Sequence, residues 1–250
     1  MLQFKVEPRH VGWLLGTLIA IELVLLAIYV ITALDPSPSQ IGVLFNLDEE
    51  ANVPAWFSSM QLFSIGFMLL LASLNPLRVQ DHLRGLLLVL GGAFIFFSMD
   101  EAAGFHEKVT TVMSRVTWAP RFSGGHGIWI FVYLAIAVAM VAALFRPIIQ
   151  LCRFYTRDVI GFAVGVIVLG AGAVGVEAVG YEQVGANASR GTKTLQVAAE
   201  EFLEMLGASI ILISALRFAL HEKVPVPSAA SVAAFRGPGT QRGPFVRPVR

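Results

Sequence analysis

Six stretches of mostly apolar residues, at about 11–34, 54–74, 85–107, 126–145, 159–182 and 195–220, account for most of this 250-residue chain. About 20 such residues cross the hydrocarbon core of a bilayer as a helix. The pattern therefore predicts an all-α, polytopic integral membrane protein with a six-helix transmembrane bundle as one domain over 1–220. Composition agrees: 56% of residues are hydrophobic and 14% charged, where a soluble domain has about a quarter charged. The connecting segments carry the expected breakers, namely Asp35-Pro36-Ser37-Pro38-Ser39, Asn75-Pro76, Ser123-Gly124-Gly125 and Arg146-Pro147. Residues 221–250, rich in Pro, Gly, Ser and Arg, read as a disordered basic cytoplasmic tail.

The first stretch follows Lys5, Arg9 and His10, as a secretory signal would. Its apolar run is longer than the roughly 7 to 15 residues of a signal core and lacks a small-x-small cleavage site, so it reads as an uncleaved span. A single cysteine, Cys152, excludes an intrachain disulfide framework and a thiolate zinc site. No phosphate loop, dinucleotide fingerprint, nucleophile elbow or His-Glu-x-x-His occurs. The basic residues form no stripe that would bind nucleic acid.

Lysine and arginine instead act as an orientation signal. Thirteen of the 18 fall at the N-terminus, in the second and fourth loops and on the C-terminal side, and five in the third and fifth loops. Short cytoplasmic loops hold the positive excess, so both termini are expected in the cytoplasm, in a membrane of the bacterial inner (plasma) type. Trp56, Trp118 and Trp129 then fall at the outer interface and Trp13 at the inner one.

The acids are distributed the other way. Twelve of 17 lie on the outer side: Asp35, Asp48, Glu49, Glu50, Asp100, Glu101, Glu107, Glu177, Glu182, Glu200, Glu201 and Glu204. At 1.5 Å rise per residue, Asp100 and Glu101 lie roughly two-thirds across the third span, and Glu200, Glu201 and Glu204 roughly 10 to 15 Å deep in the sixth. Glu177 has similar depth in the fifth. Ionised side chains there cost several kcal/mol unless they face the bundle interior with partners, and no Lys or Arg occupies the slab. A bound cation is the economical neutraliser.

The motifs give the candidate ligands. In Asp100-Glu101-Ala102-Ala103-Gly104-Phe105-His106-Glu107, the acids at 100 and 107 share a helical face, whereas His106 points elsewhere unless the helix unwinds near Gly104. In Glu200-Glu201-Phe202-Leu203-Glu204, the third acid lies within reach of both others. Candidate metal ligands are Asp100, Glu101, His106, Glu107, Glu177, Glu201, Glu204 and Glu50; candidate catalytic groups are Glu101, Glu201 and His126. Asp48, Glu49 and Glu50 also suit solvated acids at a helix start, with Pro54 in its first turn. Glu22, midway along the first span, reads as a protonated, hydrogen-bonded packing residue. Glycines at 161, 165, 170, 172, 175 and 180 let the fifth span approach its neighbours closely.

Carboxylate-rich di-iron and di-manganese bundles are the nearest structural precedent, although the cluster itself contains no Glu-x-x-His. Few imidazoles among many carboxylates favour a divalent Mn, Fe, Ca or Mg over zinc. The expectation is a membrane-embedded, metal-dependent enzyme acting on a lipid or other apolar substrate at the non-cytoplasmic face. A cation- or proton-coupled transporter using the same site is the alternative; so is an accessory or assembly subunit of a membrane complex. Membrane lipids are the expected surroundings, and a homo-oligomer or a larger complex stays open.

Overall fold

A computed structural model describes residues 8–35, 37, 39–74, 81–184 and 188–220. The expected tail at 221–250 and the Asn75-Pro76 turn lie outside the described residues, as do Pro36 and Pro38. Among the described residues the protein is helical, with no strand.

The helices are α1 (Pro8–Leu34), a short α2 (Gln40–Leu44), α3 (Val53–Ser73), α4 (Asp81–Ala103), α5 (Phe105–Met113), α6 (Ile128–Ala143), α7 (Phe145–Phe154), α8 (Thr156–Gly170), the single turn α9 (Glu177–Val179) and α10 (Arg190–Leu220). Helical winding continues from α8 through Val184, but Ala171–Val176 and Gly180–Val184 on either side of α9 are π-helical. Among the described residues five helices are long and apolar enough to cross a membrane, or six if α6 and α7 together form one span bent by 71°. Arg146-Pro147, expected as a loop, instead lies in the first turn of α7, where proline is tolerated because its missing N–H has no intrahelical partner to lose.

Helix α10 is the centre, packed against α1, α3 and α8, while α4 lies along α3. One apolar cluster joins Leu62, Ile65 and Leu69 of α3 to Leu83, Leu87 and Phe94 of α4 and Ala208, Ile211 and Ala215 of α10. A second joins Leu25 and Tyr29 of α1 to Leu47, Ala198 and Met205. Close packing between apolar helices rests on small residues that let backbones meet. A Cβ added to Gly165 would fall 2.5 Å from the Ile211 side chain, and one on Gly172 would fall 2.6 Å from the Glu200 carbonyl. Gly161 and Gly180 also face α10, but Gly170 and Gly175 have open space around them. The reciprocal contact comes from Gly207, whose added Cβ would lie 2.4 Å from the Leu169 nitrogen.

At one end of the bundle, here called the acidic end, the segments 39–53, 104–127 and 180–184 converge, with Asp35 and Arg190 beside them. Asn52 caps α3 by accepting from the Ala55 N–H, with Pro54 in the first turn as expected. Glu182 accepts from the Ser123 N–H and hydroxyl, both at 2.8 Å, tying the Ser123–Gly125 turn to the end of the π-helical segment. Arg190 donates to the Asp35 carbonyl at 2.8 Å.

Candidate functional site at the acidic end

The third long helix does not run through to Glu107. It stops at Ala103, and Gly104, at φ +60 and ψ 45, turns the chain into α5. Only glycine adopts this left-handed conformation freely. The break redirects His106, which continued helix would have turned away. Its backbone N–H donates to Asp100 Oδ1 at 2.8 Å, and its Nδ1 lies 3.4 Å from the same oxygen. Asp100 thus serves as a carboxylate cap at the start of α5 and also orients the imidazole.

Glu50 arrives from the segment before α3 and lies against the same break: a Cβ on Gly104 would come within 2.3 Å of Glu50 Oε2. Its other oxygen, Oε1, is buried with no hydrogen-bond partner. Burial, followed by the neighbouring acids Glu107 and Asp100, holds the Glu50 carboxyl above its usual range despite the opposing pull of His106 and Lys108. Asp48 is held above its range by burial and then by Glu49 and Glu107, against Lys193. For His106, burial pushes the imidazole down, but the bond to Asp100 and the charges of Asp100, Glu50 and Glu101 outweigh it and leave the group raised.

On the other side stands Glu177. The π-helical segments that flank it contain an extra residue per turn, a feature often found at functional sites. Its Oε1 accepts from Trp129 Nε1 of α6 at 3.2 Å and from the Tyr181 hydroxyl one turn on. His126 stacks on the Tyr181 ring, with centroids 5.1 Å apart and planes 11° apart. The His106 ring lies 5.3 Å from that of Trp129.

Between these groups is a cavity of about 490 Å³, within the size range of small-molecule sites. Its walls include Asp48, Glu49, Glu50, Glu101, Glu107, Glu177, Glu200 and Glu201, together with His106 and His126, and no Lys or Arg among the described residues. Seven of the nine residues singled out in the sequence therefore line one cavity: Glu50, Glu101, His106, Glu107, His126, Glu177 and Glu201. Asp100 and Glu204 do not. Asp100 is buried behind His106, and Glu204 packs against Gly172. Among the described residues, no three His, Cys, Asp or Glu side chains are disposed to hold a metal ion together.

Sequence reasoning passed over Asp48, Glu49 and Glu200 as cavity walls, along with Trp129, Tyr181 and Gln196. Tyr181 carried a signal, four residues after Glu177 and so on the same helical face. Trp129 gave none, because an interfacial tryptophan looks the same whether it meets lipid or a carboxylate. Comparison with curated proteins and with solved structures finds no match. The family model described as "Domain of unknown function (DUF8692)" matches residues 17–230, and the chain belongs to that family.

Proposed function

We propose that the protein is an enzyme embedded in a membrane of the bacterial inner type, with six spans and both termini cytoplasmic, whose cation-dependent site is the cavity at the acidic end. The observation that carries this reading is the cavity wall: eight carboxylates and two imidazoles with no lysine or arginine among them. Such a set is short of positive charge. The buried, unpartnered Glu50 Oε1 beside Glu101 and His106 is the atom most in need of a cation.

The fit to a divalent ion lies in donor chemistry and charge, not in a preformed ligand triad. Glu50, Glu101, His106 and Glu201 are the side chains that would hold it, and three carboxylates with one imidazole suit Mn, Fe, Ca or Mg. When bound, the ion supplies Lewis-acid activation of water or of an oxygen-bearing substrate. The chain's own groups do the rest. Asp100, beside His106 Nδ1, orients the imidazole so that Nε2 is the nitrogen that would meet the ion. Glu177, fixed by Trp129 and Tyr181, presents a rigid carboxylate across the cavity. His126 and Tyr181 offer an aromatic face at the rim. Placed at the outer leaflet, the cavity suits a lipid or other apolar molecule with a polar head.

Transport through the bundle is less well supported, because Leu62, Ile65, Leu69, Leu87 and Ile211 pack as one apolar cluster in the half beyond Glu22. The test is metal analysis of the purified full chain together with lipid profiling of cells that produce it. Near-stoichiometric divalent metal, lost in Glu101→Gln combined with Glu201→Gln, is expected, along with a lipid change that the double variant abolishes. Substoichiometric metal that the double variant leaves unaltered would refute the reading.

A further inference from the structure

Roughly two helical turns from the cavity-lining residues Ala55 of α3 and Glu201 of α10, a second polar group lies inside the apolar bundle. Glu22 of α1 is 0% exposed, Gln61 of α3 is 3% and Ser209 of α10 is 0%. Glu22 Oε1 accepts from Gln61 Nε2 at 3.0 Å and from the Ser209 hydroxyl at 2.6 Å. Gln61 Nε2 also donates to Ser209 Oγ at 2.8 Å and approaches the Met205 carbonyl at 3.5 Å. Every donor in the group is used. Two acceptors are not: Glu22 Oε2 and Gln61 Oε1 are both buried without a partner.

Two orphaned acceptors on side chains already joined by one hydrogen bond are short of a single donor between them. Leaving both unpaired in an apolar interior costs the desolvation of each. No lysine, arginine or histidine contributes to the group. Along α10 and α1 the ionisable side chains closest in sequence are Glu204 and Glu201, five and eight residues before Ser209, and Tyr29, seven residues beyond Glu22. None of them is a cation. We infer that Glu22 and Gln61 form a proton-binding site, in which one proton on Glu22 Oε2 is shared with Gln61 Oε1 to close an acid–amide pair.

A proton is the cation that needs no added volume, and the neighbours Ile65 and Met205 are themselves packed to 0% and 1% exposure. The site also has a path upward. Ser58, one turn from Gln61 on the same face of α3, hydrogen-bonds Glu101 of the cavity wall. Below, the apolar cluster closes the way. The proton therefore exchanges with the acidic end and not with the opposite one. This holds whether or not the cavity takes a metal.

Infrared difference spectroscopy of the intact protein in lipid, wild type minus Glu22→Gln, tests it. A carboxylic-acid carbonyl band equivalent to one group per chain should appear at neutral pH. It should shift on transfer to deuterium oxide, and more slowly in Ser58→Ala. The band should be the same in sodium and potassium chloride. No acid band, or one that sodium abolishes, overturns the proton site, the latter in favour of a sodium ion. Exchange unaltered in Ser58→Ala overturns the path. Should Glu22→Gln fail to fold, Gln61→Leu replaces it: loss of the amide must move the band to higher frequency, and an unmoved band overturns the pairing.

Discussion

Replacing Gly104 by alanine probes the acidic end at a single atom. The residue sits at φ +60 and ψ 45, where an L side chain costs about 1 to 2 kcal/mol. The new Cβ would meet Glu50 Oε2 at 2.3 Å and Oε1 at 2.8 Å. Neither is a tolerable contact, so the carboxylate must leave its rotamer at a further cost of about 0.5 to 1.5 kcal/mol. The total, about 1.5 to 3.5 kcal/mol, shifts the folding equilibrium roughly 12- to 320-fold. Unfolding in mixed micelles of mild and denaturing detergent, followed by tryptophan fluorescence, measures it. On a Glu50→Ala background the same change should cost only the backbone part, leaving a coupling of about 1 kcal/mol between the two sites. A Gly104→Ala protein within about 0.5 kcal/mol of wild type, or a cycle with no coupling, would refute the packing of Glu50 on the helix break.

The helix contacts give a paired prediction: Gly207→Ala, whose Cβ would meet the Leu169 backbone at 2.4 Å, forces α8 off α10 and should cost more than about 2 kcal/mol, whereas Gly170→Ala, with nothing within 4 Å, should be neutral or stabilising by about 0.5 to 1 kcal/mol. Equal effects in the same unfolding assay would contradict the interface. Tyr181→Phe and Trp129→Phe each remove a donor from Glu177 and should each destabilise by about 1 to 3 kcal/mol, less than additively when combined because they share one oxygen; strict additivity would argue against the shared acceptor. Asp48, Glu50 and His106 all bind their protons more tightly folded than unfolded. Their stabilisation is therefore complete below the unfolded values, about 4 for the acids and 6.5 for the imidazole, and is lost as pH rises through the higher folded values. The unfolding temperature of the metal-free protein should fall as pH rises above the unfolded carboxylate value of about 4, less steeply in Glu50→Gln; a rise with pH there would reverse the assignment.

The amino-acid order by itself determined the helical class, the approximate extent of the long helices and the bias of acids toward one end. These follow from local quantities: apolar run length against bilayer thickness, a fixed rise per residue, and breakers such as Gly104 whose backbone preference acts where it stands. Even the condition for using His106, an unwound turn at Gly104, could be stated from the covalent order, but whether it was met could not. Which carboxylates share a cavity depends on the rotation of each helix about its axis and on which neighbour it touches. Those are settled by contacts such as Gly207 on Leu169 and Gly172 on Glu200, more than 25 residues apart in the chain. The tertiary structure therefore decided that Asp100 and Glu204 stand outside the cavity wall while Asp48 and Glu200 belong to it. It also decided that Glu22, a lone acid in the sequence, meets Gln61 and Ser209 from two other helices, because only close packing of α1, α3 and α10 brings three distant polar side chains to one point inside an apolar bundle.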